Sequence, residues 1–176
     1  MNNEVEDLSV IALPGYNPEI GRWLWALEDT RHATLKCLDG LTDEDLDTLP
    51  PGADNRIGAL LYHIAIVEVG WLYFQVLEGK KPFPQGFGAL FPADAVDEQE
   101  QLTNLQGASL QDHLQRLEKV RANLMEEFRS IDSEDFRRLR YLPEENVTPE
   151  WVVHHLIQHE AEHRGQIQTV RYLLGK

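Results

Sequence analysis

The stretch Arg56–Gly79, RIGALLYHIAIVEVGWLYFQVLEG, constrains the fold more than any other part of the chain. It is so apolar that no single face can be left to solvent, so as a helix it must be wrapped on nearly every side by the rest of the protein. Gly79 supplies its stop signal. A buried central helix needs other helices or a sheet around it, and the remaining sequence offers helices. Around Tyr16–Leu38, Asn17 reads as an N-cap and Pro18 as the first helical residue, Leu24, Leu27, Thr30, Thr34 and Leu38 form a stripe, and Gly40 ends the run. Ser109 caps a third helix in which Leu110, Leu114, Leu117, Val120, Leu124 and Phe128 recur with a 3.6-residue period, giving one buried face. Thr148 and Pro149 open a fourth, which runs to the end of the chain.

The connectors differ in length. The segment DGLTDEDLDTLPPGADN is rich in capping and turn residues and carries one short helical turn at most. The segment KKPFPQGFGALFPADA is long, irregular and rich in Pro, Gly and aromatics, and it reads either as a lid over a site or as a plain crossover. Strand pattern is weak and confined to Arg138–Leu142. The expected fold is therefore all-α: a four-helix bundle with a long crossover between helices 2 and 3, built as a single domain over 1–176.

Charge narrows the partners. Thirty acidic against 16 basic residues leave a formal net charge of -14, which repels phosphate backbones and anionic membranes, so neither nucleic acid nor membrane is expected as a partner. Cys37 is the one cysteine, which excludes an intramolecular disulfide and a cysteine-rich zinc site and suits a reducing cytoplasm. The N-terminal MNNEVEDLSVIALPGYNPE lacks a cationic region before an apolar run and does not read as a signal peptide. No stretch approaches 18 apolar residues free of charge, so no membrane span is expected.

Histidine carries the chemistry. In HEAEHRGQ, His159 and His163 are four residues apart, about 6 Å along a helix axis and roughly 40° in azimuth, so both project from one face and could hold one cation. Val152, Leu156, Ile167, Val170 and Leu174 share that stripe, which turns the imidazoles inward. His63 lies on the stripe of the central helix between Leu60 and Val67, with Gly70 and Phe74 continuing it, and is the candidate third ligand. Three imidazoles plus an open position is an arrangement that zinc uses catalytically and that nickel or ferrous iron also accepts.

The letters H-E-x-x-H also spell the zinc-peptidase signature, but that chemistry needs a third ligand further on. Thirteen residues follow His163, and the extended motif fails at Gln166 and Thr169. Glu160 stands where a general base would and flanks the ligand pair, as does Glu162, each about 80° from the pair's mean direction on an ideal wheel; a helix-surface carboxylate is the plainer reading of both. His155, one turn before His159, and Gln166, one turn after the pair, are candidate cofactor-binding positions. His155 can hydrogen-bond a ligand histidine, touch a substrate or replace a ligand. Tyr62, Trp71 and Phe74 are candidate pocket walls or simple core, Arg56 is a candidate cationic contact, and His32, His113 and His154 read as ordinary polar positions.

The histidine within LLYHIAIVEVGW and the terminal HHLIQHEAEHRGQI, together with the four-helix pattern, resemble the DinB/YfiT-like metal-binding bundles over nearly the full chain. Relatives in that group include bacillithiol and mycothiol S-transferases. The resemblance implies metal ligation by one histidine of the second helix and a His-x-x-x-His pair of the last, which fall on His63, His159 and His163. It further implies zinc or nickel, with iron as a third option, a low-molecular-weight thiol as cofactor, and transfer of that thiol to a small electrophilic molecule. Two other readings stay open: metal-dependent hydrolysis with Glu160 as base, and a non-catalytic, stress-associated metal- or ligand-binding protein. A homodimer through exposed apolar residues of the crossover is also expected.

Overall fold

A computed structural model describes residues 8–176, and the first part of the acidic N-terminal stretch lies outside the described residues. The order of elements is α1 (Pro18–Lys36), α2 (Asp43–Asp47), α3 (Ile57–Gly70), a π-helical continuation (Trp71–Val76), a 3-10 turn (Phe87–Ala89), α4 (Leu110–Phe128), α5 (Ser133–Arg137), β1 (Arg140–Tyr141), β2 (Asn146–Val147) and α6 (Pro149–Leu173). Four long helices, α1, α3, α4 and α6, form the bundle, with the crossover between the second and third as expected.

Local chemistry explains the boundaries. The Glu19 amide donates to the Asn17 side chain at 3.0 Å, and Pro18 occupies the first turn, where its missing N–H is not needed. Ser109 and Asp112 close a reciprocal capping box at the start of α4, and Thr42 and Asp45 do the same for the short α2. Leu77 donates to the Leu72 carbonyl, five residues back, at 2.9 Å, the signature of the wider helical turn that ends α3. The weak strand signal resolves into a two-stranded antiparallel ribbon pairing Arg140 with Val147 and Tyr141 with Asn146. Arg140, 2% exposed, donates Nε to the Val76 carbonyl at 3.1 Å and fastens the ribbon to the end of the π-helical segment.

The central stretch comes closer to a membrane span than the sequence reading allows. Ile57–Val76 has the length and composition of one, but 67% of it is buried inside the protein, where its apolar side chains form the core shared by all four long helices. Its burial has an exception that organises the bundle. Glu68 is 2% exposed and sits with Arg31 of α1, Arg121 of α4 and Glu160 of α6 in a buried ionic cluster. Arg121 grips Glu68 through both carboxylate oxygens at 2.8 and 3.0 Å and reaches Glu160 at 3.1 Å; Arg31 reaches Glu68 and Glu160 at 2.7 Å each. The same guanidiniums donate across the bundle to backbone, Arg31 to the Leu117 carbonyl and Arg121 to the Leu27 carbonyl, both at 3.0 Å. Burial alone would raise the Glu68 carboxyl, but Arg121 and Arg31 hold it below the ordinary range.

His113 also departs from its sequence reading as an ordinary polar position. It is 1% exposed on α4, beside Gly58 of α3, and its Nδ1 lies 3.1 Å from Arg116. Burial, then the Arg116 charge, lowers its pKa to about 4, against about 6.5 for an unfolded histidine. The folded state therefore binds fewer protons than the unfolded state between these values, and stability present above about pH 6.5 is lost as pH falls toward 4. In metal-free protein, urea midpoints are expected to fall across that window, and less steeply in a His113→Gln variant, which cannot titrate. An equal slope in the variant would remove His113 from the account.

Candidate metal centre

His63 enters from α3, and His159 and His163 from consecutive turns of α6. One ring nitrogen from each of the three lies within 4.8 Å of the others. The ring centroids of His63 stand 5.1 Å from His159 and 5.0 Å from His163, and those of His159 and His163 are 4.4 Å apart. All three residues are partly exposed rather than fully sealed in the core. Among the described residues no other group of three histidines, cysteines or carboxylates meets the same spacing.

The hydrogen bonds define which atoms face the centre. His163 Nδ1 lies 3.1 Å from Gln166 Oε1, an acceptor, so the Nδ1 proton sits on that side and leaves the Nε2 lone pair free. That Nε2 faces His159 Nε2 at 3.0 Å. The contact closes either through an N–H of His159 or through a cation that accepts both lone pairs. Tetrahedral zinc with Zn–N bonds near 2.05 Å holds its ligand nitrogens about 3.3 Å apart, so the pair is already near the spacing such an ion requires. His63 Nδ1 is buried without a hydrogen-bond partner. A buried imidazole nitrogen is usually satisfied, and an orphan on a ring packed against two other imidazoles is compatible with a ligand set lacking its cation. The residues thus fit a divalent metal.

Electrostatics point the same way. Burial, followed by repulsion from His163, lowers His63 to about 4, with the nearby Ala95 backbone acting in the opposite sense. Burial and then the neighbouring imidazoles of His163, His63 and His155 lower His159 to about 3, partly offset by Glu68. Both rings are therefore neutral, the form that ligates, well below pH 7.

The flanking candidates separate into different roles. His155 stands outside the ligand group: it stacks on Trp151 at 5.1 Å with an interplanar angle of 5°, meets Trp71 at 4.5 Å, and comes no nearer than 5.7 Å to the His159 ring centroid. This aromatic layer walls one side of the triad. Gln166 meets the triad through its hydrogen bond to His163. Glu160 does not supply a free base. One residue beyond His159 the helix has turned by about 100°, which carries its carboxylate into the buried cluster, where Oε1 accepts from Arg31 and Oε2 from Arg121. It is not a helix-surface carboxylate either, whereas Glu162 is exposed. Arg56 spends its Nε on the Asp47 carbonyl at 3.0 Å.

Residues 26–167 match the DinB superfamily, 142 of the 176 positions, from within α1 to beyond both α6 ligands. The chain belongs to the DinB superfamily. This DinB chain also resembles a solved structure described as the conserved protein of locus from Enterococcus faecalis, with a TM-score of 0.68 and 20% identity over 88% of this chain and 96% of that one. At that identity the likeness shows the shared fold. No protein of curated function matches the sequence.

Proposed function

We propose that this DinB protein is a divalent-metal-dependent enzyme that transfers a low-molecular-weight thiol to a small electrophile. The observation that carries the reading is the convergence of three imidazole nitrogens within 4.8 Å on partly exposed residues, with the buried His63 Nδ1 left unpartnered. His63, His159 and His163 would hold the ion, zinc or nickel before iron for an all-nitrogen set. When bound, such an ion lowers the pKa of a thiol offered to its open position, so that thiolate is available near neutral pH. Gln166 fixes the His163 tautomer, and the Trp71–His155–Trp151 layer shields one flank from water. In the transfer the thiol sulfur forms a bond to the electrophilic carbon as the bond to the leaving group breaks; the thiol proton goes to solvent and the leaving group departs with its electron pair.

Hydrolysis with Glu160 as base is not part of this reading, because both oxygens of that carboxylate are engaged by guanidiniums. A cytoplasmic setting, small-molecule partners and a homodimer belong to the proposal. Resemblance to the DinB/YfiT-like bundles, whose relatives include bacillithiol and mycothiol S-transferases, supports the thiol; the acidic surface requires a neutral or locally compensated one.

Metal analysis of untagged protein is expected to return close to one zinc or nickel per chain. The loaded protein should then consume cysteine-based thiols in the presence of a haloalkyl bimane faster than the apo form. Metal binding without thiol-dependent turnover would leave a binding protein; no metal after reconstitution would sink the site itself.

A further inference from the structure

A separate cleft of about 310 Å³ opens between α3 and the crossover, at the lower end of the roughly 300–1,000 Å³ usual for small-molecule sites. Its floor is Ile66, Val69 and Gly70, and its walls are phenylalanines, among them Phe74, Phe83 and Phe91. Phe83 packs on Tyr73 at 4.5 Å and meets Phe74 edge-on at 6.0 Å, while Phe91 leans on Tyr62 at 5.9 Å, so the walls are braced from behind. Phe74 and Phe83 nevertheless remain 56% and 47% exposed at the mouth. A concave, largely apolar cleft of this kind is suited to a small hydrophobic molecule.

Two glycines keep that volume open. A Cβ built on Gly70 or on Gly88 meets nothing within 4 Å, and neither residue has a left-handed backbone that would demand glycine. Gly70 lies in a helix, where alanine would be more stable. Space, not backbone geometry, is what the missing side chains provide.

The cleft shares a wall with the histidine triad. His63, Ile66 and Gly70 are spaced three and four residues apart along α3 and so lie on one face. Ala93 and Asp94 line the cleft, and the backbone of the next residue, Ala95, stands beside the His63 ring and raises its pKa. The Tyr62 hydroxyl, donating to the Ala93 carbonyl, pins this stretch of the crossover in place. Asp94 is the one charged residue of the lining, and it is negative.

We propose that this cleft binds the uncharged aromatic end of the electrophilic substrate and presents it to the triad. The assignment rests on the thiol-transfer reading for the word substrate, but not for the binding itself. A carboxylate at the rim of a chain with net charge -14 disfavours an anionic thiol here and leaves the apolar walls to the hydrocarbon partner.

The probe is N-phenyl-1-naphthylamine, which is neutral and fluoresces when sheltered from water. The parent protein is expected to bind it saturably, one per chain, and to bind the sulfonated analogue 1-anilinonaphthalene-8-sulfonate at least tenfold more weakly. Gly70→Leu and, separately, Gly88→Leu fill the cleft and should each weaken the neutral probe at least tenfold without lowering the melting temperature or changing the zinc content. Cobalt(II) in place of zinc should quench the bound probe. Undiminished binding in both leucine variants, no saturable binding by the parent, or absence of quenching in protein shown to hold cobalt(II) would overturn the assignment. So would sedimentation showing a dimer whose formation excludes the probe, since a second copy would then be the occupant. If the probe pattern holds but no metal binds, the cleft stands and the thiol-transfer reading falls.

Discussion

Replacing Arg121 with methionine is expected to destabilise the protein by about 3–5 kcal/mol, lowering Tm by roughly 6–20 °C for a chain of this size. Arg121 is 5% exposed and makes five hydrogen bonds: two to Glu68, one each to Glu160 and Glu28, and one to the Leu27 carbonyl. Without it two buried carboxylates share the single Arg31 cation, and desolvation of the surplus charge is uncompensated. The effect should be strongly non-additive. A quadruple variant with apolar residues at 31, 68, 121 and 160 is expected to recover most of the loss, because a complete buried ion cluster contributes little net stability relative to well-packed hydrocarbon. Urea denaturation of the two variants checks both statements, and a loss below about 1 kcal/mol for Arg121→Met would show that water reaches the cluster.

Removing two of the three imidazoles should abolish tight metal binding while leaving the helices intact. In a His63→Ala, His159→Ala double variant the remaining His163 offers one nitrogen, and one imidazole cannot hold a divalent ion against water. Gln166→Ala is the graded control. It touches the centre only through its hydrogen bond to His163 Nδ1, and loss of such an orienting partner typically weakens metal affinity 10–100-fold. Zinc competition with a chelator, beside circular dichroism, separates these outcomes. Equal zinc affinity in parent and double variant would place any metal elsewhere.

Much of this arrangement was legible in the sequence because local rules and global packing agree. Asn17–Pro18, Ser109 and Thr148–Pro149 mark helix starts by chemistry that acts within one turn, and those boundaries emerged where capping puts them. The α6 pair was legible from its i, i+4 spacing, whereas the α3 stripe made His63 only a candidate that the family resemblance turned into a ligand. What escaped was the ionic cluster, since composition treats charge as surface. A signal was present: Arg31 falls between Leu27 and Thr34, Arg121 between Leu117 and Leu124, and Glu160 between Leu156 and Ile167, each on a buried stripe, while Glu68 interrupts the most apolar run of the chain. Charges at core positions on four helices imply mutual pairing, and that inference also removes Glu160 from the base's role. The crossover resisted for a different reason. Its course is set by aromatic contacts to α3 that have no sequence period.

The cluster also specifies how the helices are aligned along their lengths. Apolar stripes tolerate sliding, because leucine meets leucine again one turn further on. Arg121 and Glu68 do not: a shift of one helical turn, about 5.4 Å, would separate partners now 2.8 Å apart and strand a naked charge in the interior. Since His63 lies five residues from Glu68 and His159 adjoins Glu160, the same alignment brings the three imidazoles level with one another. The vernier of the bundle is thus ionic, and the histidines are read off against it.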